Sequence, residues 1–117
     1  MSRLSEQEDF QVALCTAPDQ ETAERLAELM VHEKLAACVN IVPNVTSVYR
    51  WHDSSGQTSV EKDSEVLMII KTHAELMAEL GDLLDREHPY DVFELISCNI
   101  EQASAAYLEW LESSLRF

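Results

Sequence analysis

The sequence predicts an α+β fold organised around one long β-hairpin, and three patterns carry that prediction. Residues 35–49 hold no charged side chain, although the chain has 22 acidic and 8 basic residues and a formal net charge of −14. Such a run is expected to be buried; its Val and Ile content, with Tyr49, Trp51 and a single Pro43, reads as one long bent strand. Residues 66–70, Val-Leu-Met-Ile-Ile, are an unbroken apolar run that fits the return arm of the same hairpin. Apolar residues at helical spacing, Ala23, Leu26, Ala27, Met30 and Val31 in one segment and Leu76, Met77, Leu80, Leu83 and Leu84 in another, predict a helix on either side of it.

Residues 1–9 are polar and expected to be disordered, and one domain is expected to span residues 10–117. Phe10-Gln-Val-Ala-Leu-Cys15 alternates apolar with polar closely enough for a first strand. Pro18 and Asp19 supply a helix start, and the helix runs to about Lys34. The hairpin arms follow, joined by a polar turn over residues 52–59 that contains Gly56. Strands are typically about 5–6 residues long, so the arm ending at Trp51 projects beyond a small sheet and needs a second surface, most simply another copy of the chain. The return arm lacks the alternation of a strand with one wet face, so both its faces are expected to be covered. Thr72-His-Ala-Glu75 has the spacing of a capping box and is expected to start the second helix, which Pro89 ends by forcing His88 out of helical geometry. Residues 92–98 read as a further strand. Residues 102–115 read as a last helix that buries Tyr107, Leu108, Leu111 and Leu115, with Asn99 or Glu101 at its start. This order, βαββαβ plus a C-terminal helix, is the ferredoxin-like arrangement. Because that fold hosts metal carriers, sensors and small enzymes alike, function has to be argued from side chains.

The acidic charge repels phosphates and anionic membrane surfaces at long range, so neither nucleic acid nor membrane is an expected partner. Cys15, Cys38 and Cys98 leave one thiol unpaired in any disulfide scheme and lack the spacing of a zinc motif. With no apolar stretch near the roughly 20 residues of a membrane span and no signal-peptide core, a cytoplasmic location with reduced thiols is expected.

Two places hold chemistry. Cys15 closes the first strand just before Thr16-Ala-Pro-Asp19, where backbone N–H groups and the helix dipole favour a thiolate, a soft ligand for copper or zinc. His88-Pro-Tyr-Asp-Val-Phe-Glu94 brings an imidazole, a phenol and two carboxylates together at a helix end. Cys15, His88 and Glu94 make a metal site, with Glu94 as weak ligand or as the partner that orients His88. They are equally the inventory of a cysteine nucleophile with its base and orienter. With only Gly56 and Gly81 in the chain, neither an oxyanion hole nor a phosphate cradle is evident, so no enzymatic step is expected. Arg50, Lys62 and Lys71 are the residues an anionic ligand would use, while His32, His52 and His73 have no partners at ligand spacing. Tyr49 and Trp51, at alternate positions, read as anchors of a subunit interface.

Several blocks, in order, resemble the CutA family of divalent-cation tolerance proteins: Cys15-Thr-Ala-Pro, Glu33-Lys-Leu-Ala-Ala-Cys38, Ser47-Val-Tyr-Arg-Trp51, Glu65 with Lys71-Thr72, His88-Pro-Tyr90 with Glu94, and Tyr107-Leu-Glu-Trp-Leu111. The resemblance implies a ferredoxin-like subunit in a homotrimer similar in plan to the PII signalling proteins. It also implies binding of divalent metal, copper foremost, at ligands that include the positions of Cys15 and His88. Glu87 stands where some family members place a second His, Phe93 where many have Pro, and Asp53 where many have Gly. A PII-like sensor or scaffold, with a small ligand or partner protein in clefts between subunits, is the alternative that the same resemblance carries.

Overall fold

A computed structural model describes residues 9–117. The expected disorder at the N-terminus therefore concerns residues that, Asp9 apart, lie outside those described. The elements run β1 (Phe10–Ala17), α1 (Gln20–His32), β2 (Cys38–His52), β3 (Thr58–His73), α2 (Met77–Glu87), β4 (Ile96–Asn99) and α3 (Ala105–Ser114), with a short 3-10 turn, Ala74–Leu76, ahead of α2. One four-stranded sheet in the order β2-β3-β1-β4 holds all the strands, and every pairing is antiparallel.

Alternation along β1 and β3 divides the sheet into two faces. Ala13, Cys15 and Ala17 sit opposite Ile70, Met68 and Val66, and all six are buried beneath the helices. With Leu26 and Met30 of α1, Leu80 and Leu84 of α2 and Leu111 of α3 they form one apolar cluster. Each large side chain so enclosed contributes roughly 1.5–3 kcal/mol. The other face carries Val12, Leu14, Leu67 and Ile69, and no helix covers them completely. Within one chain the run 66–70 is thus covered on one side only, because the helices all pack on the side of Val66, Met68 and Ile70.

Asp19 caps α1 by accepting a hydrogen bond from the Thr22 N–H at 2.8 Å. The helix closes at His32, earlier than Lys34, in a Schellman motif: the Lys34 N–H bonds to the Val31 carbonyl and the Leu35 N–H to the Met30 carbonyl. Lys34 takes the left-handed conformation, φ 59°, usually left to glycine. The long β2–β3 hairpin forms as expected, and its pairing slips between Val42 and Val45, where Pro43 lacks a donor and Asn44 has φ 60°. The hairpin gives the molecule its long dimension, 56 Å against 25 Å across.

Three further expected boundaries move. Thr72 does not cap α2: β3 pairs with β1 as far as Phe10 opposite His73, and the buried Thr72 hydroxyl donates instead to the Leu35 carbonyl at 2.6 Å. His73 caps the 3-10 turn ahead of α2, its Nδ1 accepting from the Glu75 N–H, and α2 itself starts after Leu76 without a side-chain cap. The last strand is Ile96–Asn99, which pairs with Gln11 to Leu14 of β1, and residues 92–95 stay outside the sheet. α3 starts after Ser104, so neither Asn99 nor Glu101 begins it. As expected, His88 leaves helical geometry, with ψ 136° before Pro89.

Candidate functional site: an acidic cleft beside the hairpin

Ser47, Tyr49 and Trp51 on β2 and Glu61, Asp63 and Glu65 on β3 alternate onto one face of the hairpin, and that face continues into the uncovered sheet face at Leu67 and Ile69. Against it lies the segment 89–94, which α2 delivers when Pro89 stops the helix. Between them opens a cleft of ≈ 830 Å³ whose lining includes Thr16, Tyr90, Asp91 and Glu94. Five carboxylates line it, from Glu61, Asp63, Glu65, Asp91 and Glu94, and among the described residues no Lys, Arg or His does.

Phenols hold two of these carboxylates in place. Tyr90 Oη–H donates to Glu65 Oε2 at 2.7 Å, and Tyr49 Oη–H donates to Asp63. The Asp63 bond pushes the Tyr49 phenol up to about 12; burial, and then the Glu65 bond, raise that of Tyr90 further. Both phenols therefore stay protonated and act as donors. Tyr49 and Trp51 meet edge to face with ring centroids 6.3 Å apart, and the indole is half exposed.

Cys15 sits under one end of this cleft, but it faces the core. Its thiol is fully buried and donates only a weak bond, 3.7 Å to the Thr16 carbonyl. Burial, with the nearby charges of Glu94 and Glu65 adding, pushes it up to about 12. The expected thiolate is therefore overturned: alternation in β1 turns the sulfur inward, and α1 begins only at Gln20. His88 is buried too, and both its ring nitrogens are engaged with backbone: Nε2–H donates to the Thr16 carbonyl at 2.8 Å and Nδ1 accepts from the Tyr90 N–H at 3.0 Å. Glu94 lines the cleft. The structure thus gathers Cys15, His88 and Glu94 at one end of the sheet, yet among the described residues no three His, Cys, Asp or Glu side chains stand where a metal ion would need them. A protonated thiol and an imidazole with both nitrogens in use do not fit a soft metal ion as they stand.

Arg50 and Lys62 alternate onto the opposite side of the hairpin, and Lys71 bonds to Asn40 at the far end of the sheet, so none of the three lines the cleft. Glu61, Asp63 and Glu65 entered no sequence-based site, although Asp91 and Glu94 stood in the candidate segment that follows His88. The signal was present in the acidic residues at alternate positions 61, 63 and 65 of a strand, which necessarily share a face.

A four-stranded antiparallel sheet with its helices packed on one face, and an acidic, aromatic cleft opening on the other, defines a small α+β protein of a recognisable class. The chain belongs to the CutA1 divalent ion tolerance protein family, whose model matches residues 11–114. It is 46% identical over 105 residues, 90% of this chain, to the chloroplastic protein CutA of Arabidopsis thaliana, and 39% identical over 104 residues to the divalent-cation tolerance protein CutA of Thermus thermophilus. It spans 96% of the Thermus relative but only about half the length of the Arabidopsis one and of the human protein CutA, to which it is 41% identical over 99 residues. The crystal structure of CutA1 from Oryza sativa superimposes with a TM-score of 0.85 at 41% identity, covering 94% of this chain and 97% of that one. The Thermus thermophilus structure gives 0.84 at 38% identity, covering 92% and 99%.

Proposed function

We propose that this protein is a ferredoxin-like subunit of a homotrimer that binds divalent cations in the acidic cleft and serves divalent-cation tolerance without a chemical step. The carrying observation is the cleft lining, five carboxylates with no basic side chain among the described residues. The names of relatives as divalent-cation tolerance proteins agree with it. Glu65 and Glu94 supply the oxygen donors, with water completing the shell, as in sites that hold an ion through one or two carboxylates. Copper remains the tightest-bound first-row ion, since for a given N/O donor set affinity peaks at Cu²⁺. The uncovered sheet face supports the trimer, because assembly through it places each cleft beside a neighbouring subunit. A reaction is disfavoured, because the protonated Cys15 and the backbone-bonded His88 offer no nucleophile–base pair.

We keep the cytoplasm as the setting, supported by three cysteines that form no disulfide among the described residues; no helix there is long and apolar enough to cross a membrane. The PII-like alternative with an anionic ligand is weakened because Arg50, Lys62 and Lys71 all lie away from the cleft. Calorimetric titration with Cu²⁺ and Zn²⁺ tests the proposal. The double variant Glu65→Gln, Glu94→Gln should lose about tenfold or more in affinity, as removal of paired charged donors implies, and Cys15→Ser should lose none. The reverse pattern would return the site to the buried thiol.

A further inference from the structure

His88 was chosen from sequence as a ligand, but its surroundings give it another task. The residue is 8% exposed, with the Phe93 ring stacked on the imidazole at 5.3 Å and the Tyr90 ring tilted against it at 4.8 Å. Nε2–H reaches back 72 residues to the Thr16 carbonyl at the end of β1, and Nδ1 takes the Tyr90 N–H two residues on. These two bonds define one tautomer, neutral with the proton on Nε2. Tyr90, held by its backbone, delivers its phenol to Glu65 at 2.7 Å. A single imidazole thus joins the end of β1, the segment 89–94 and, through Tyr90, the β3 wall of the cleft.

We propose that His88 is a positioning residue: it fixes Tyr90, and through Tyr90 the carboxylate of Glu65, so that the cleft keeps its shape, and it does not itself bind the cation. This deepens the cation-binding reading and rests on it for its effect on affinity, though not for the tautomer or for the anchoring of Tyr90.

Two isosteric substitutions separate the bonds. In His88→Asn the side-chain oxygen takes the place of Nδ1 and can still accept from the Tyr90 N–H. In His88→Gln the amide nitrogen takes the place of Nε2 and keeps only the Thr16 bond. With Zn²⁺ as probe, His88→Asn should retain slow hydrogen exchange at the Tyr90 amide and an affinity within about threefold of wild type. His88→Gln should lose the protection and about tenfold in affinity, the scale of one well-placed hydrogen bond. In the wild type, ¹⁵N spectra of the His88 ring should show the Nε2–H tautomer both before and after Zn²⁺ is added.

Three results would overturn the proposal: a Zn²⁺-induced shift of a His88 nitrogen of the size direct ligation gives, equal loss of affinity in the two variants, or Tyr90 protection lost in the Asn variant. If Glu65→Gln, Glu94→Gln leaves Zn²⁺ affinity unchanged, the cleft reading fails, and the Tyr90 exchange and the tautomer still decide the role of His88.

Discussion

Burial of the Cys15 thiol, with the carboxylates of Glu94 and Glu65 adding, raises its pKa from 9.0 to about 12, and the sign of the linkage follows from that direction. The folded chain holds the proton more tightly than the unfolded one, so the contribution to stability is whole below pH 9 and is lost as pH climbs from there towards 12. Cys15→Ala removes a buried sulfur and should cost about 1 kcal/mol at neutral pH. Melting curves from pH 8 to 11 should then fall less steeply for the variant than for wild type. Iodoacetamide at pH 8 should leave Cys15 unlabelled in the folded protein and label it rapidly once urea unfolds the chain, as peptide mapping would show; early labelling of Cys15 in the folded protein would mean that its burial is wrong. The same residue shows how far the site was legible. That Cys15 and His88 lie at element ends could be read from the turn residues beside them. Their protonation and hydrogen bonding were not legible, since these depend on which way a strand faces and on a carbonyl 72 residues away.

Helix α1 owes its end to a residue that fits its backbone poorly. Lys34 occupies the left-handed position of the Schellman motif at φ 59°, where an L side chain crowds its own carbonyl. Lys34→Gly relieves that strain at the expense of a more flexible unfolded chain, and the net gain should be about 0.5–1 kcal/mol in urea denaturation. Gly56 provides the opposite sign. It turns the β2–β3 hairpin at φ 85° with nothing within 4 Å of an added Cβ, so Gly56→Ala should lose about 1 kcal/mol through backbone strain alone. Equal effects at the two positions would show that φ is not the controlling variable. Element type and order were legible because hydrophobic period separates helix from strand. The start of α2 and the limits of β4 were not, because a capping-box spacing says nothing of whether the neighbouring strand will extend over it. Phe10 opposite His73 is a decision of pairing between residues 63 positions apart, and it overrides the local preference of Thr72.

At the scale of the molecule, one sheet face is unfinished. Val12, Leu14, Leu67 and Ile69 stand half-buried on it, Ile96 is 55% exposed beside them, and among the described residues β2 and β4 leave both sheet edges without a partner strand. An apolar face flanked by open edges is where a second and third copy would gain most from association. The charge of −14 on each copy opposes that gain at long range, so added salt should strengthen the assembly rather than weaken it. Ile69 pairs with both Leu14 and Asn40 at the middle of the face, and its side chain points away from the helices. Ile69→Asp should therefore leave the fold of the single chain intact by circular dichroism while setting a charge where copies meet, at a penalty of several kcal/mol per buried, unpaired carboxylate. Light scattering at micromolar concentration should report about three times the 13.3 kDa chain mass for wild type and the mass of one chain for the variant. Retention of the larger mass by Ile69→Asp would move the interface to the hairpin edges, and a wild-type monomer would remove the trimer. Either result would also change the reading of the cleft, since its open side lies on this same face.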